Sequence, residues 1–270
     1  MTVMAKRLAR QIGVGRFLLL WGFSLLAGLS RRASGPQTFP LHLLSVLGDQ
    51  LYFTFSVLPS FLFLCSGVME DDPEAVILRY GSYGRYFMAK WRGMCLLCTE
   101  TWAVQLTLLA FTGCGYPLTA GWISDSGYGS YHDVLSLMAG RFPTPWTALV
   151  CAALHLLAGY WLTALLALWL GHFLFHTDAI KALMALFVLA VFWVKLPIMA
   201  QPPFCYLTGI NHWMLMLHNL TEPWRFPLTI AVTLPLLCGM LWSAHRKWRR
   251  SVPSIRHQPK LLSKKNGGLL

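Results

Sequence analysis

Charged residues are scarce in this 270-residue sequence. They make up 12% of the chain, whereas hydrophobic residues, counted with Ala, Tyr and Cys, make up 56%. Ordinary globular domains have about 25% charged and about 45–50% apolar residues. A soluble fold of this size could not cover its surface with so few charges. The composition excludes a cytosolic enzyme, a disordered tail and a soluble nucleic-acid-binding protein, and it predicts an integral membrane protein.

Recognisable catalytic motifs are also missing. The chain has no G-x-S-x-G string, no G-x-x-x-x-G-K-[ST] phosphate-binding loop and no paired intramembrane aspartates, so any ATP that it uses must be hydrolysed by another protein. Its seven cysteines are odd in number, and most lie in apolar runs, which does not predict a disulfide framework. Cys95 and Cys98 have C-x-x-C spacing but no second pair or histidine nearby, so we interpret them as part of a membrane helix. Whether Cys114 and Cys205 meet on the outer side is left open.

The sequence contains several long apolar runs. A helix needs about 20 apolar residues to cross the hydrocarbon of a bilayer. Six runs approach or reach that length, and the first does so only if its basic amphipathic start is included. We therefore predict an all-α polytopic membrane protein with an amphipathic segment at 1–16, a six-span domain over 17–244 and a basic tail at 245–270. The predicted spans lie near 12–30, 51–69, 94–113, 146–170, 182–200 and 226–244.

The basic residues predict the orientation of these spans. Lys and Arg number 22 against 10 Asp and Glu. With six spans, seventeen of the 22 fall on the side of the two termini and four on the other, while Lys195 lies within a span. Cytoplasmic loops carry such an excess, so both termini are predicted to be cytoplasmic, beside anionic lipid headgroups. The outer loop at 201–225 stays apolar and is bounded by prolines, which predicts a re-entrant or interfacial hairpin.

A few titratable groups inside or beside the spans could carry chemistry. Glu100 interrupts the third span, and an intramembrane carboxylate must line a cavity, pair with a cation or be protonated. It is either part of a substrate path or a structural hydrogen-bonding residue. His172 and His176 are four residues apart, with Asp178 just beyond, which on one helix would allow a metal pair. The set lacks a clear third ligand, so no metal site is predicted.

The loop between the second and third spans has the most distinctive sequence. An acidic cluster with Pro73 suits the first turn of a helix. The string ILRYGSYGRYFMAKWRG follows at 77–93, where Gly81 and Gly84 are predicted to end that helix and 86–92 to lead into the third span. The loop is therefore predicted to hold a short cytoplasmic helix suited to docking, unless it is simply a solvated basic loop.

These features together resemble the small six-span permease subunits of type-2 ABC exporters, and more narrowly those of bacterial peptide-antibiotic export and immunity systems. The basic amphipathic start, the ILRYGS string at 77–82 and the hairpin before the last span carry the resemblance. It implies a homo- or heterodimer of permeases in the bacterial cytoplasmic membrane, bound to a separate ATPase that holds ATP and magnesium. The implied ATPase-docking coupling helix contains Glu70, Asp71, Asp72, Glu74, Arg79 and Tyr80. The implied interfacial helix contains Lys6, Arg7, Arg10 and Arg16.

Two other functions stay open at this point. One is an intramembrane enzyme that uses Glu100 or the pair His172 and His176. The other is a membrane immunity or scaffold protein that binds its target without pumping. The substrate and the direction of transport are not predicted.

Overall fold

The structure, a computed structural model, describes residues 3–32, 38–69, 79–122, 132–174, 176–195, 235 and 238–243. These residues form helices, turns and irregular segments, and none of them forms a strand. The predicted all-helical class is therefore confirmed.

The first two helices are α1, Val3–Ile12, and α2, Val14–Arg32. Gly13 separates them with a φ of 78°, a left-handed conformation that glycine adopts at little cost. One side of α1 is buried, through Met4, Ala5, Leu8 and Ile12, and this spacing is that of an amphipathic helix. The amphipathic start is thus helical, but it ends at Ile12 and does not continue to residue 16.

The second apolar region is broken into several short elements. Helix α3, Phe39–Leu47, begins after Thr38 with Pro40 in its first turn. Helix α4, Gln50–Tyr52, continues through a π-helical turn, Phe53–Val57, into α5, Leu58–Ser66. Pro59 lacks the N–H that would bond the carbonyl of Phe55 in a regular α-helix, and the ladder changes register there. The predicted span at 51–69 corresponds to this irregular helix.

Helix α6, Tyr83–Thr112, spans 30 residues, about 45 Å at 1.5 Å per residue. Gly81 precedes it with a φ of 68°, and the Ser82 side chain accepts a hydrogen bond from the Arg85 backbone N–H at 3.4 Å. Gly81 therefore interrupts the backbone as predicted. Gly84 lies inside the first turn of α6, so the prediction that it ends a helix is wrong, because the Ser82 cap starts the new helix before it.

The remaining described helices are α7, His132–Ala139, α8, Pro145–Phe173, and α9, His176–Lys195. Thr144 and Thr147 form a capping box at the start of α8, with Pro145 in the first turn. Helix α8 packs against α3, α5, α6 and α9, and a larger share of it is buried than of α2 or α6. It ends at Leu174, whose backbone is extended.

Within the described residues, three helices are long and apolar enough to cross a membrane: α2, α6 and α8. They cover most of the predicted spans at 12–30, 94–113 and 146–170. Helix α9 covers part of the predicted span at 182–200, and the short described fragment at 238–243 is helical. The predicted hairpin at 201–225, and most of the sixth span and the basic tail, lie outside the described residues.

The helix order in space follows from a few contacts. Helix α2 runs antiparallel to the α4–α5 region, since Arg31 pairs with Asp49 at one end and Arg16 contacts Gly67 at the other. Helices α6 and α8 are antiparallel too, with Tyr83 bonded to His172 near one end. Arg32 at the end of α2 bonds the carbonyl of Thr112, the last residue of α6. Arg31 and Asp49 therefore lie at one end of the bundle, and Tyr83 and His172 lie at the opposite end.

Candidate functional site

Four buried polar side chains meet between α2, α4, α6 and α8. The Tyr160 hydroxyl donates to Gln105 Oε1 at 2.6 Å, and Gln105 Nε2 donates to the Tyr52 hydroxyl at 3.2 Å. Tyr52 donates in turn to Ser24 Oγ at 2.7 Å, and Ser24 donates to the carbonyl of Leu20 at 2.8 Å. Each hydroxyl is thereby supplied with an acceptor inside an apolar bundle, where an unpaired group is costly.

This chain of donors, hereafter the central network, is a structural tie between helices. The Tyr160 ring stacks on Phe61 with centroids 4.2 Å apart and an interplanar angle of 9°, which also joins α5 to it. The Gln105 amide interrupts the run of hydroxyls, and an amide does not pass protons along as a hydroxyl or carboxyl does. The central network therefore holds five helical segments together and offers no proton relay.

A second cluster lies at the end of the bundle that holds the C-terminus of α2. Helix α3 crosses this end, because Phe39 contacts Trp146 at the start of α8 and His42 contacts Thr112 at the end of α6. Just past α3, the Asp49 carboxylate pairs with Arg31 and accepts a hydrogen bond from the Leu51 N–H at 2.9 Å. Asp49 thus starts α4 and ties it to α2.

The protonation of His42 follows from its hydrogen bonds. Thr112 Oγ1 donates to the carbonyl of Leu109 at 2.7 Å, so it accepts from His42 Nε2, which lies 3.1 Å away. His42 Nδ1 is buried and has no hydrogen-bond partner in the part of the chain that is described. Burial lowers the pKa of His42 below its ordinary value of 6.5, and the Arg32 guanidinium lowers this pKa further. His42 is therefore neutral, with its proton on Nε2.

The opposite end of the bundle is where α1 is attached. A Cβ placed on Gly93 of α6 would lie 3.0 Å from Met4 Cγ and 3.1 Å from Leu8 Cδ1, so α1 packs directly on the α6 backbone. Lys6 and Arg10 are exposed on the opposite side of α1, and Arg7 is half-buried. Arg16 belongs to α2 and not to the predicted interfacial helix, because the chain turns at Gly13. Its guanidinium lies 4.8 Å from the centre of the Phe63 ring.

The predicted coupling helix lies almost entirely outside the described residues. This applies to Glu70, Asp71, Asp72 and Glu74. Arg79 is exposed and Tyr80 is half-buried, with the Tyr80 ring 5.8 Å from that of Tyr86. Tyr80 is thus anchored to the same end of α6 that carries α1.

The predicted histidine pair does not share one helix. His172 lies in the last turn of α8 and bonds Tyr83, whereas His176 begins α9 after the extended Leu174. Asp178 is exposed and pairs with Lys181 at 3.3 Å. Among the described residues, no group of three or more His, Cys, Asp or Glu could hold a metal ion.

Glu100 lies on α6 and is exposed on the surface of the bundle. In the residues that can be described, its carboxylate has no ion pair or hydrogen bond. Cys95, Cys98 and Cys114 are free thiols. Cys205 is outside the described residues, so whether it meets Cys114 stays open.

Sequence reasoning did not anticipate the central network or α3. Ser24 and Gln105 are polar residues within predicted spans, and that is a usable signal, but the partners are 28 to 55 residues apart. For α3, the Thr38-Phe39-Pro40 string is a helix-start signal, but the nine-residue helix is far shorter than a membrane span of about 20 residues. The chain matches no protein-family profile, no curated protein and no solved structure.

Proposed function

We propose that this chain is the membrane-spanning permease subunit of an exporter that depends on a separate ATPase. Three helices long and apolar enough to cross a membrane support its membrane location. We further propose that the chain has six spans with both termini in the cytoplasm. It would lie in the bacterial cytoplasmic membrane and pair with a second permease copy. The ATPase would hold ATP and magnesium, and this chain would supply the path by which the substrate crosses the membrane.

The observation that carries the proposal is the attachment of α1. Its apolar side packs on the backbone of α6 at Gly93, and Ile12 lies against Gly67 at the end of α5. Its basic side, with Lys6 and Arg10, is exposed. A helix held firmly by one side and charged on the other can transmit a push from a partner to the helices beneath it.

Two more residues of the proposed docking surface, Arg79 and Tyr80, lie at the same end of the bundle. Arg79 and Tyr80 lie one turn before α6, and the acidic residues 70–74 follow α5 in sequence. We propose that these residues and α1 contact the ATPase together. Closure of the ATPase around ATP would then move α1 and α6, shifting the spans between inward-open and outward-open states.

Co-purification from the native membrane tests this proposal. The wild-type chain, gently solubilised, is expected to retain an ATPase with a phosphate-binding loop. A variant with Lys6→Glu and Arg10→Glu should lose it, because the exposed basic side of α1 is reversed while its buried side is intact. Lys181→Glu, at the exposed start of α9, is the matched control and should retain it.

Two outcomes of this experiment would count against the proposal. If no ATPase accompanies the wild-type chain, the export proposal fails, and a non-pumping immunity or scaffold role takes its place. If the ATPase remains bound to the double variant at the wild-type level, α1 is not part of the docking surface.

A further inference from the structure

The exposed surface of α6 carries one acidic side chain, in an apolar setting. Among the three helices that are long enough to cross a membrane, Glu100 is the only acidic residue. It is exposed, and the residues one turn before and after it on the same side, Leu96 and Val104, are 40% and 36% exposed. Neither an ion pair nor a hydrogen bond holds its carboxylate among the described residues.

The depth of Glu100 makes this arrangement costly in lipid. Arg92, the basic residue that precedes it on α6, is eight positions away, about 12 Å along the helix axis. That is too far for a contact between their side chains. A carboxylate at such a depth is stabilised only by a cation, a polar cavity or a bound proton. None of the described residues supplies such a cation, so a cationic ligand would lower this cost.

An aromatic side chain lies against the turn of α6 that precedes Glu100. Trp161 of α8 donates its indole N–H to the carbonyl of Cys95 and lies 3.3 Å from Thr99 Oγ1. Its ring therefore covers the turn of α6 that leads to Glu100, and it is 40% exposed. On α8 the exposed Leu154 extends the apolar surface. One carboxylate with an aromatic ring and aliphatic groups matches an organic cation that also has apolar groups.

We propose that Glu100 binds the positive charge of an amphipathic organic cation, whose apolar groups pack against Trp161, Leu96 and Val104. A divalent metal ion is a poorer match, because a single carboxylate with aliphatic neighbours offers too few oxygen ligands. The proposal rests on the proposed export function and narrows it, since the site would select cationic substrates. It needs no ATPase to be tested, so its failure and that of the export proposal are distinguishable.

Tetraphenylphosphonium is a suitable probe, because it combines one delocalised positive charge with four aromatic rings. Its binding to the full-length chain in nanodiscs can be measured by equilibrium dialysis, without any partner. Glu100→Gln should weaken binding at least about tenfold, because the Coulombic attraction between the carboxylate and the cation is lost. Asp178→Asn, which removes an exposed carboxylate outside the three candidate spans, should bind as the wild type does. Neutral triphenylphosphine oxide should not distinguish Glu100→Gln from the wild type.

A second measurement avoids substitution altogether. Dicyclohexylcarbodiimide modifies carboxyl groups in apolar surroundings, and tetraphenylphosphonium should protect Glu100 from it. Equal tetraphenylphosphonium affinity for the wild type and Glu100→Gln would overturn the proposal, as would labelling of Glu100 that the probe does not slow. Efficient disulfide cross-linking of a Glu100→Cys variant in native membranes would also overturn it, because the surface would then be an interface between two copies.

Discussion

Removing the Tyr160 hydroxyl tests whether the central network stabilises the bundle. Tyr160→Phe removes the 2.6 Å bond to Gln105 and leaves Gln105 Oε1 buried without its donor. Hydrogen bonds between membrane helices contribute about 0.6 kcal/mol on average, and an unsatisfied buried group costs about 1–3 kcal/mol. Because the amide oxygen loses one bond only, we expect Tyr160→Phe to lower the free energy of unfolding by about 1 kcal/mol.

Gln105→Leu should lower the free energy of unfolding by more than Tyr160→Phe does. It removes both amide bonds and leaves the Tyr160 hydroxyl buried without an acceptor, while Tyr52 keeps its bond to Ser24. We expect a loss of about 2 kcal/mol. Once Tyr160 is already Phe, Gln105→Leu removes only the Tyr52 bond. The double variant should then lose about 2 kcal/mol, giving a coupling energy of about 1 kcal/mol.

The assay is reversible unfolding in mixed micelles, with the four variants of the double-mutant cycle measured together. Tyr116→Phe is the control, because its hydroxyl donates to the Arg32 carbonyl at 3.0 Å in an exposed position. It should change stability by less than about 0.5 kcal/mol. A coupling energy near zero, or a Tyr160→Phe variant as stable as the Tyr116→Phe control, would refute the assignment of the central network as a structural tie.

Two further predictions concern the end of the bundle where α3 lies. Because the folded state lowers the pKa of His42 below 6.5, the unfolded state takes up the proton first, and stability should fall as the pH drops below 6.5. His42→Gln keeps an N–H donor, and its stability should depend less on pH in this range than that of the wild type. If stability depends on pH in the same way in both proteins, His42 is not a neutral side chain buried beside Arg32. Gly28→Val should destabilise by about 1–3 kcal/mol, since a Cβ there would overlap the Thr112 side chain. Gly22→Val, with open space around it, should cost less than about 0.5 kcal/mol, and equal losses in thermal melts of the two variants would contradict the close packing of α2 on α6.

The long elements of the fold could be predicted from the sequence, because length and apolarity suffice to define them. Helices α2, α6 and α8 fall close to three of the predicted spans, and the amphipathic pattern before residue 13 gives α1. Their boundaries could be predicted less well. Gly13 ends α1 through its backbone conformation, and Ser82 starts α6 before the predicted break at Gly84. Helix boundaries of this kind depend on single residues whose backbone or capping preference competes with the apolar pattern.

The tertiary contacts could not be predicted, because periodicity carries no information on which helices are neighbours. The sequence does not distinguish Asp49 from other loop residues, yet it caps α4 and pairs with Arg31, 18 positions earlier in the chain. Glu100 is the opposite case, since the sequence singles it out as an intramembrane carboxylate but leaves open whether it lines a substrate path or forms structural hydrogen bonds. Only the structure shows that Glu100 is exposed on the surface of the bundle, next in sequence to Thr99, which Trp161 contacts.

The most direct test of the account is the membrane topology of the chain, because the docking surface requires both termini on one side with the α3 end on the other. Reporter domains fused at either terminus, after Gly115 and within 79–82 can be compared in intact cells. For a six-span permease, the termini and the 79–82 insertion should report the cytoplasm, the Gly115 fusion should report the outside, and carbonate at pH 11 should not extract the protein. Termini on opposite sides, or release of the chain by carbonate, would contradict the six-span permease.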